Sequence, residues 1–217
     1  MLTERFSLMM TRHFPQFAAA LALIALPAAA GSIGTTFTGA STYTGNMFDA
    51  VVGPNGITVK SLAVNVGAGP LTIDVYIKTG TYAGFDTTPG AWTLVSATAV
   101  TGLGFGLQTP VTLTPFFLAA GSTHGIYVTI DSNTNIAPYM YYSSGANTYS
   151  NADISLTTGN GLGGKFGSLA YFTPRTWNGI INYNLGNTLV PEPSSLALLA
   201  LAAPGLWLLR RRYFLKY

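Results

Sequence analysis

The segment Leu71-Thr72-Ile73-Asp74-Val75-Tyr76-Ile77-Lys78 alternates between apolar and polar side chains along its whole length. Successive side chains of a β-strand point to opposite faces, so this alternation predicts a strand with one buried face and one polar face. The same alternation recurs at Leu62–Val66 and at Ile126–Ile130. The fold is therefore expected to be built from half-buried strands.

Further short segments rich in β-branched and aromatic residues predict additional strands. These segments are Phe48–Val52, Trp92–Thr101, Val111–Leu113, Tyr139–Tyr142, Ile154–Thr157 and Trp177–Tyr183. Between Ile57 and Val66 the apolar residues change from odd to even positions, which predicts a β-bulge near Lys60-Ser61.

Turn-forming residues separate the predicted strands. Pro54-Asn55-Gly56 predicts a hairpin turn, because asparagine and glycine tolerate the positive φ that such turns need. Glycine and proline predict further breaks at Gly67–Pro70, Thr87–Gly90 and Gly159–Gly164. About nine or ten short strands with frequent turns predict an all-β fold, a single antiparallel, jelly-roll-like β-sandwich over residues 31–189.

Composition narrows the classes of function. The chain has 217 residues, of which 8% are charged, and it has no cysteine and a net charge of +3. Disulfides and cysteine-based sites are therefore excluded. The excess positive charge lies near the two ends, because between residues 31 and 190 four cations oppose five aspartates, a net charge of −1. Nucleic-acid binding through a basic patch of this central region is not expected.

Residues 1–30 have the pattern of a secretory signal peptide. Arg5 and Arg12 precede the apolar run Phe17–Leu26, and small residues follow Pro27. Ala28 and Ala30 occupy the two positions that signal peptidase reads, so cleavage is expected after Ala30.

Residues 190–217 combine three further features. Pro191-Glu192-Pro193 precedes an apolar run over residues 196–209, which is predicted to be a transmembrane helix, and a basic tail over residues 210–217 follows. Fourteen residues of helix span only about 21 Å, short of the roughly 30 Å hydrocarbon core. Because Arg210, Arg211 and Arg212 follow the run, the tail is expected to stay cytoplasmic and the body outside.

This order of a Pro-Glu-Pro motif, one short apolar helix and an arginine cluster resembles the PEP-CTERM sorting signal of Gram-negative bacteria. The resemblance implies cleavage near the motif by an exosortase, transient anchoring in the inner membrane, and release to the cell surface or an exopolysaccharide matrix. Pro204-Gly205 within the helix and Tyr213–Tyr217 beyond the arginines depart from the pattern. The alternative is an ordinary C-terminal transmembrane anchor.

A group of tyrosines is the candidate ligand site. Tyr139, Tyr141, Tyr142 and Tyr149 lie close in sequence, and exposed aromatic faces can stack on the sugar rings of a polysaccharide. The alternative is that these rings fill the core. Arg175 and Trp177 share a predicted strand face, which favours a structural cation–π contact or a buried Arg–Asp pair there.

No catalytic residue is predicted. The central region has one histidine, His124, without a G-x-S-x-G motif, and its five aspartates are scattered, with no obvious pair. No cofactor is predicted either: Asp131–Asn135 has the ligand spacing of a calcium loop but lacks its glycine and glutamate, so a turn is favoured. The binding of a structural calcium ion by Asp49 or Asp153 remains an alternative.

Together these features predict an exported surface or matrix protein with a non-enzymatic structural or adhesive role, associated with exopolysaccharide or biofilm. Its expected partners are signal peptidase, an exosortase-like enzyme and polysaccharide. The alternative is a secreted carbohydrate-binding module or carbohydrate-active enzyme.

Overall fold

The structure, a computed structural model, describes residues 29–134, 137–157 and 159–189. The predicted sorting segment and all but the last two residues of the predicted signal peptide lie outside these ranges. The described residues form fourteen strands: β1 (Ala30–Gly34), β2 (Ser41–Tyr43), β3 (Gly45–Val52), β4 (Ile57–Val64), β5 (Gly69–Thr79), β6 (Thr93–Gly102), β7 (Thr109–Leu118), β8 (Thr123–Ile130), β9 (Met140–Ser144), β10 (Tyr149–Ser150), β11 (Ile154–Leu156), β12 (Gly159–Gly163), β13 (Ala170–Trp177) and β14 (Gly179–Leu185). Two short 3₁₀ helices span Pro89–Ala91 and Lys165–Gly167.

The strands form two antiparallel sheets. The smaller sheet has the order β1-β14-β4-β7, and the larger has the order β2-β9-β13-β12-β3-β8-β5-β6, with β11 also paired to β3 and β10 paired to β11. The predicted all-β, antiparallel class with sandwich-like packing is confirmed. The described residues contain no helix with the length and hydropathy of a transmembrane segment.

The core lies between the two sheets and follows the predicted alternation. In β5, Ile73 and Val75 are fully buried in the core, and Ile126 and Val128 of β8 lie beside them. The smaller sheet contributes side chains of its own, including Ile57, Leu62, Val111, Leu118 and Ile181. Both sheets therefore bury their apolar faces against one another, which removes this surface from water.

Side chains close the sandwich along one edge, where β6 and β7 belong to different sheets. The hydroxyl of Thr98 donates to the carbonyl oxygen of Thr112 at 2.9 Å. The backbone N–H of Thr114 donates to the hydroxyl oxygen of Ser96 at 3.2 Å. Backbone groups of the β7 edge are thus satisfied by side chains, which covers this edge of the smaller sheet.

The predicted bulge near Lys60-Ser61 is confirmed. The register between β4 and β7 shifts between Val59 and Ser61. On the other side of β4, the register with β14 shifts between Asn182 and Tyr183. The extra residue lets apolar side chains on both sides of the bulge face the core.

Two local predictions about connections are wrong. Trp177–Tyr183 is not one strand, because β13 ends at Trp177 and β14, in the other sheet, begins at Gly179. The crossing residue, Asn178, is fully buried, and its side-chain oxygen accepts a hydrogen bond from the Ser143 hydroxyl at 3.0 Å. Residues 54–56 turn with a φ of +63° at Gly56, but they join β3 to β4 in different sheets and form no hairpin.

The predicted break at Gly159–Gly164 is also wrong, because it contains strand β12, paired on both sides with β3 and β13. A Cβ on Gly159 would lie 1.5 Å from the backbone oxygen of Met47, and one on Gly161 would lie 2.7 Å from the Tyr142 ring. Glycine is therefore needed here because the neighbouring strand and the Tyr142 ring approach β12 closely. The prediction of a break relied instead on the frequent occurrence of glycine in turns.

The larger sheet curls back on itself. Only Thr44 separates β2 from β3, yet β2 pairs with β9 while β3 pairs with β12. Because β12, β13 and β9 are neighbours in that order, these strands curve round and return to the β2–β3 segment. We call this region the curl, formed by β2, β9, β13, β12 and the start of β3.

Candidate functional site

The chain ends of the described body lie at one end of the sandwich. Leu185 of β14 pairs with Ile57, and Ala30 of β1 pairs with Asn184. At the other end of β4, Val64 pairs with Thr109, where β7 begins. The connection between β6 and β7 therefore lies at the end of the sandwich remote from both chain ends.

That remote connection, residues 103–108, presents three large apolar side chains to solvent, and we call it the apolar loop. Leu103, Phe105 and Leu107 are 52%, 49% and 53% exposed. Gly104 and Gly106 between them adopt positive φ values of 109° and 77°. Three neighbouring exposed apolar side chains are more than scattered surface residues and suggest a contact surface.

The apolar loop is fixed in place by its neighbours. The backbone N–H of Gly106 donates to the side-chain oxygen of the fully buried Asn65 at 2.9 Å. The N–H of Leu103 donates to the Thr109 hydroxyl at 3.0 Å, and the Phe105 ring lies 4.9 Å from that of Tyr141. The exposed side chains are therefore presented by a defined backbone.

The four tyrosines predicted to contact glycan do not form one site. Tyr142 is 1% exposed, so its assignment as a ligand contact is wrong. Tyr141, on the opposite face of β9, is half-buried against Phe105. Tyr139 is half-buried as well, and Tyr149 packs against the main core. Successive side chains of β9 point to opposite faces of the sheet, so the adjacent residues Tyr141 and Tyr142 place their rings on opposite sides.

A different aromatic group lies in the curl, and we call it the Arg175 row: Tyr43, Phe172, Arg175 and Tyr142. The rings of Tyr43 and Phe172 stack at 4.8 Å. The Arg175 guanidinium carbon lies 5.6 Å from the centre of the Phe172 ring and 5.9 Å from that of Tyr142. The predicted cation–π contact of Arg175 is present, with these rings as its partners.

Burial is the main influence on the Tyr142 hydroxyl and raises its pKa to about 12, although the neighbouring Arg175 acts in the opposite direction. Glycines make space for the row, because a Cβ on Gly163 would lie 2.8 Å from the Tyr43 ring. No local sequence pattern indicates the row, because its members come from three strands, β2, β9 and β13, that are far apart in the chain.

One lysine joins two aspartates that are distant in sequence. The Lys165 ammonium lies 2.7 Å from a carboxylate oxygen of Asp74 and 2.5 Å from one of Asp131. Partial burial lowers the pKa of Lys165, but the hydrogen bonds to Asp131 and Asp74 outweigh it and raise the pKa above its usual value. The contact ties the short helix at Lys165–Gly167 to β5, which is a structural role.

The remaining aspartates are also held by hydrogen bonds. Asp49 accepts from the Thr81 hydroxyl at 2.6 Å and from the backbone N–H of Tyr82 at 2.8 Å. Asp86 accepts from the Asn160 amide at 2.6 Å, and Asp153 accepts from the Tyr183 hydroxyl at 2.9 Å. In the described ranges, no three histidine or acidic side chains are grouped as metal ligands.

The described part of the candidate calcium segment is arranged as a bend. The backbone N–H of Thr134 donates to the Ser132 hydroxyl at 3.1 Å, and Asp131 is engaged by Lys165. Asn135 lies outside the described residues.

A groove of about 570 Å³ on the smaller sheet is lined by hydroxyl, amide and other side chains but by no aspartate: Ala30, Gly31, Ser32, Lys60, Ser61, Asn182, Tyr183 and Asn184.

The arrangement around His124 differs from that of a catalytic triad. The Ser122 hydroxyl donates to the carbonyl oxygen of Ala119 at 2.5 Å, so the His124 Nε2–H donates to Ser122 at 2.8 Å. His124 Nδ1 is buried and has no hydrogen-bond partner among the described residues. A triad histidine instead donates from Nδ1 to a carboxylate and accepts the serine proton at Nε2.

Burial gives His124 a predicted effect on stability. Desolvation lowers its pKa below the ordinary value of 6.5. As the pH falls through 6.5, His124 binds a proton in the unfolded chain, whereas burial opposes protonation in the folded state. The free energy of unfolding therefore decreases until the pH falls below the pKa of His124 in the folded state. Melting curves between pH 7.5 and 5.5 should show a smaller loss of stability for His124→Gln than for the wild type. Parallel pH profiles would contradict this account.

Of the predicted processing residues, Ala30 lies within the described body. It is the first residue of β1, and the backbone oxygen of Ala29 accepts a hydrogen bond from the N–H of Leu185 at 2.8 Å. Cleavage after Ala30 would leave Gly31–Gly34 paired with β14. Ala28 and the predicted sorting residues lie outside the described ranges: Pro191, Glu192, Pro193, Arg210, Arg211 and Arg212.

Comparisons with known proteins assign no family to this chain. No protein-family model matches the chain, and a search of curated proteins finds no match. One solved structure, a crystal structure of the infectious bursal disease virus VP2 subviral particle, shares 14% sequence identity with a TM-score of 0.22. The match covers 88% of this chain and 53% of that chain, so this chain spans about half its length. A TM-score this low carries no argument about function.

Proposed function

We propose that this protein is exported through the inner membrane and anchored transiently by its C-terminal segment. It is then delivered to the cell surface or extracellular matrix. There it has a non-enzymatic structural or adhesive role associated with exopolysaccharide. The proposal includes the PEP-CTERM-like processing implied by Pro191-Glu192-Pro193 and Arg210–Arg212. It also includes the jelly-roll connectivity and the two terminal helices.

The observation that carries the proposed role is the separation of the chain ends from the apolar loop. Ala30 and Leu185 lie at one end of the sandwich, whereas residues 103–108 lie at the other. Processing at the two chain ends would thus leave Leu103, Phe105 and Leu107 exposed at the opposite end of the sandwich. This arrangement supports an adhesive contact with other components of the surface layer.

The polar groups of the body support a role without catalysis. The five aspartates are held in ion pairs or hydrogen bonds with neighbouring side chains and backbone groups. A carbohydrate-binding module is the second candidate, and the Arg175 row favours it. A carbohydrate-active enzyme would need two carboxylates facing a cleft, free to exchange protons with a substrate.

Changing Leu103, Phe105 and Leu107 together to serine should reduce retention of the protein in the surface or matrix fraction several-fold, because the exposed apolar contact is lost. Quantitative immunoblots of washed cells and medium measure this retention. The control is Leu94→Ser with Leu169→Ser, since these side chains are similarly exposed at 47% and 55%. Equal retention of the triple variant and the wild type would contradict an adhesive role for the loop.

A further inference from the structure

The curl contains four buried polar atoms without hydrogen-bond partners among the described residues: Arg175 Nε, Trp177 Nε1, Asn46 Oδ1 and Asn160 Oδ1. Trp177 is 2% exposed and Asn46 is 0% exposed. A buried donor or acceptor that lacks a partner destabilises the fold, so atoms of this kind are rare in native structures.

Asn46, Arg175 and Trp177 share one face of the curl, whereas Asn160, which pairs with Met47, lies on the other face. Arg175 and Trp177 are two residues apart on β13 and therefore share a face. Asn46 shares its face of β3 with Phe48, whose ring stacks on that of Trp177 at 5.0 Å. Trp177 and Asn46 are buried in the interior, so of these three side chains the half-buried Arg175 is the one that a ligand can reach.

Arg175 has no carboxylate partner within the described part of the chain. The ion pairs found among the described residues are those of Lys165 with Asp74 and Asp131. The Arg175 Nη1 donates to the carbonyl oxygen of Pro174 at 2.8 Å. Its guanidinium lies near the ring faces of Phe172 and Tyr142. An arginine held in this way retains its preference for an anion.

The surrounding rings restrict the shape of that anion. Because the guanidinium lies over two rings, an acceptor approaches along its edge, where a planar carboxylate forms paired hydrogen bonds. Tyr43 and Phe172 are half-buried and provide aromatic surface beside this edge, while Ser144 and Thr173 are exposed nearby. Aromatic surface, hydroxyl groups and an arginine together match a sugar that carries a carboxylate.

We propose that the curl binds an acidic polysaccharide by a uronate carboxylate at Arg175, with the sugar ring against Phe172 and Tyr43. This inference rests on the proposed association with exopolysaccharide and names the class of sugar. A neutral polysaccharide would form no ion pair with Arg175, so the charge of the ligand is the deciding property.

Calorimetric titration of the full-length chain in detergent micelles tests the site, with a galacturonic acid tetrasaccharide as the probe and a neutral galactose tetrasaccharide for comparison. We expect the acidic probe to bind at least tenfold more tightly than the neutral one. Binding should weaken when sodium chloride is raised from 50 to 500 mM, because the contact is ionic.

Three variants sharpen the titration. Arg175→Met keeps the aliphatic stem and should lower the affinity for the acidic probe at least tenfold. Arg175→Lys keeps the charge without the paired geometry and should bind with intermediate affinity, provided that melting curves show both variants folded. Lys60→Met removes an exposed cation on the smaller sheet and should bind like the wild type.

Several outcomes would overturn the inference: no binding of the acidic probe, equal binding of both probes, binding that is insensitive to salt, or full affinity in folded Arg175→Met. If Arg175→Met does not fold, the salt dependence and the Arg175→Lys variant decide the matter. Failure of sugar binding while the protein is still retained at the surface would reject the sugar site alone. Loss of surface delivery would reject the proposed function.

Discussion

Gly159→Ala is expected to lower the melting temperature of the protein by about 6–12 °C. Its Cβ would lie 1.5 Å from the backbone oxygen of Met47, so β3 and β12 must separate. Forcing an extra carbon into a packed interior costs about 3 kcal/mol when backbone has to move. For a domain of this size each kcal/mol changes the melting temperature by about 2–4 °C. Thermal melts followed by circular dichroism measure the effect.

Gly90→Ala is the matched control for this prediction. Gly90 is exposed, and a Cβ there meets no atom within 4 Å. The same chemical change should therefore leave the melting temperature within about 2 °C of the wild type. If Gly159→Ala had the same melting temperature as Gly90→Ala, the close pairing of β12 with β3 would be wrong.

Replacing Arg210, Arg211 and Arg212 together with glutamine is expected to reduce release of the processed protein at least tenfold in its natural host. The cluster sets the orientation of the short apolar segment at residues 196–209, because positive residues stay on the cytoplasmic side. Without it, full-length protein should accumulate in the inner-membrane fraction. Fractionation followed by immunoblotting against the body measures both species.

Lys216→Gln provides the control, since it removes a positive charge of the same tail outside the arginine cluster. Its release should match that of the wild type. Normal release and an unchanged mature mass in the triple glutamine variant would show that the arginines have no role in sorting.

The strands that alternation predicts are those that line the core. Ile73, Val75, Ile126 and Val128 are buried as their positions predict, because one apolar face per strand leaves only one way to orient it. The bulge at Lys60 was also predictable, since a strand keeps apolar side chains on one face across a change of parity only by inserting an extra residue.

The parts that sequence reasoning missed depend on contacts between distant segments. Gly159–Gly163 has the composition of a turn, and only the approach of Met47 and the Tyr142 ring makes it a strand. Asp74 and Asp131 have no local signal that Lys165 will join them. The unpaired donor of Arg175 depends on strand pairings within the curl, which no local pattern records.

The most direct test of the proposed function is the intact mass, with terminal peptide mapping, of the protein recovered from the surface or medium of its natural host. We predict a chain that begins at Gly31, ends near Pro191–Pro193 and lacks residues 196–217. A surface-delivered protein that still carries residues 196–217, or a protein that stays in the cytoplasm with residues 1–30 intact, would contradict this account.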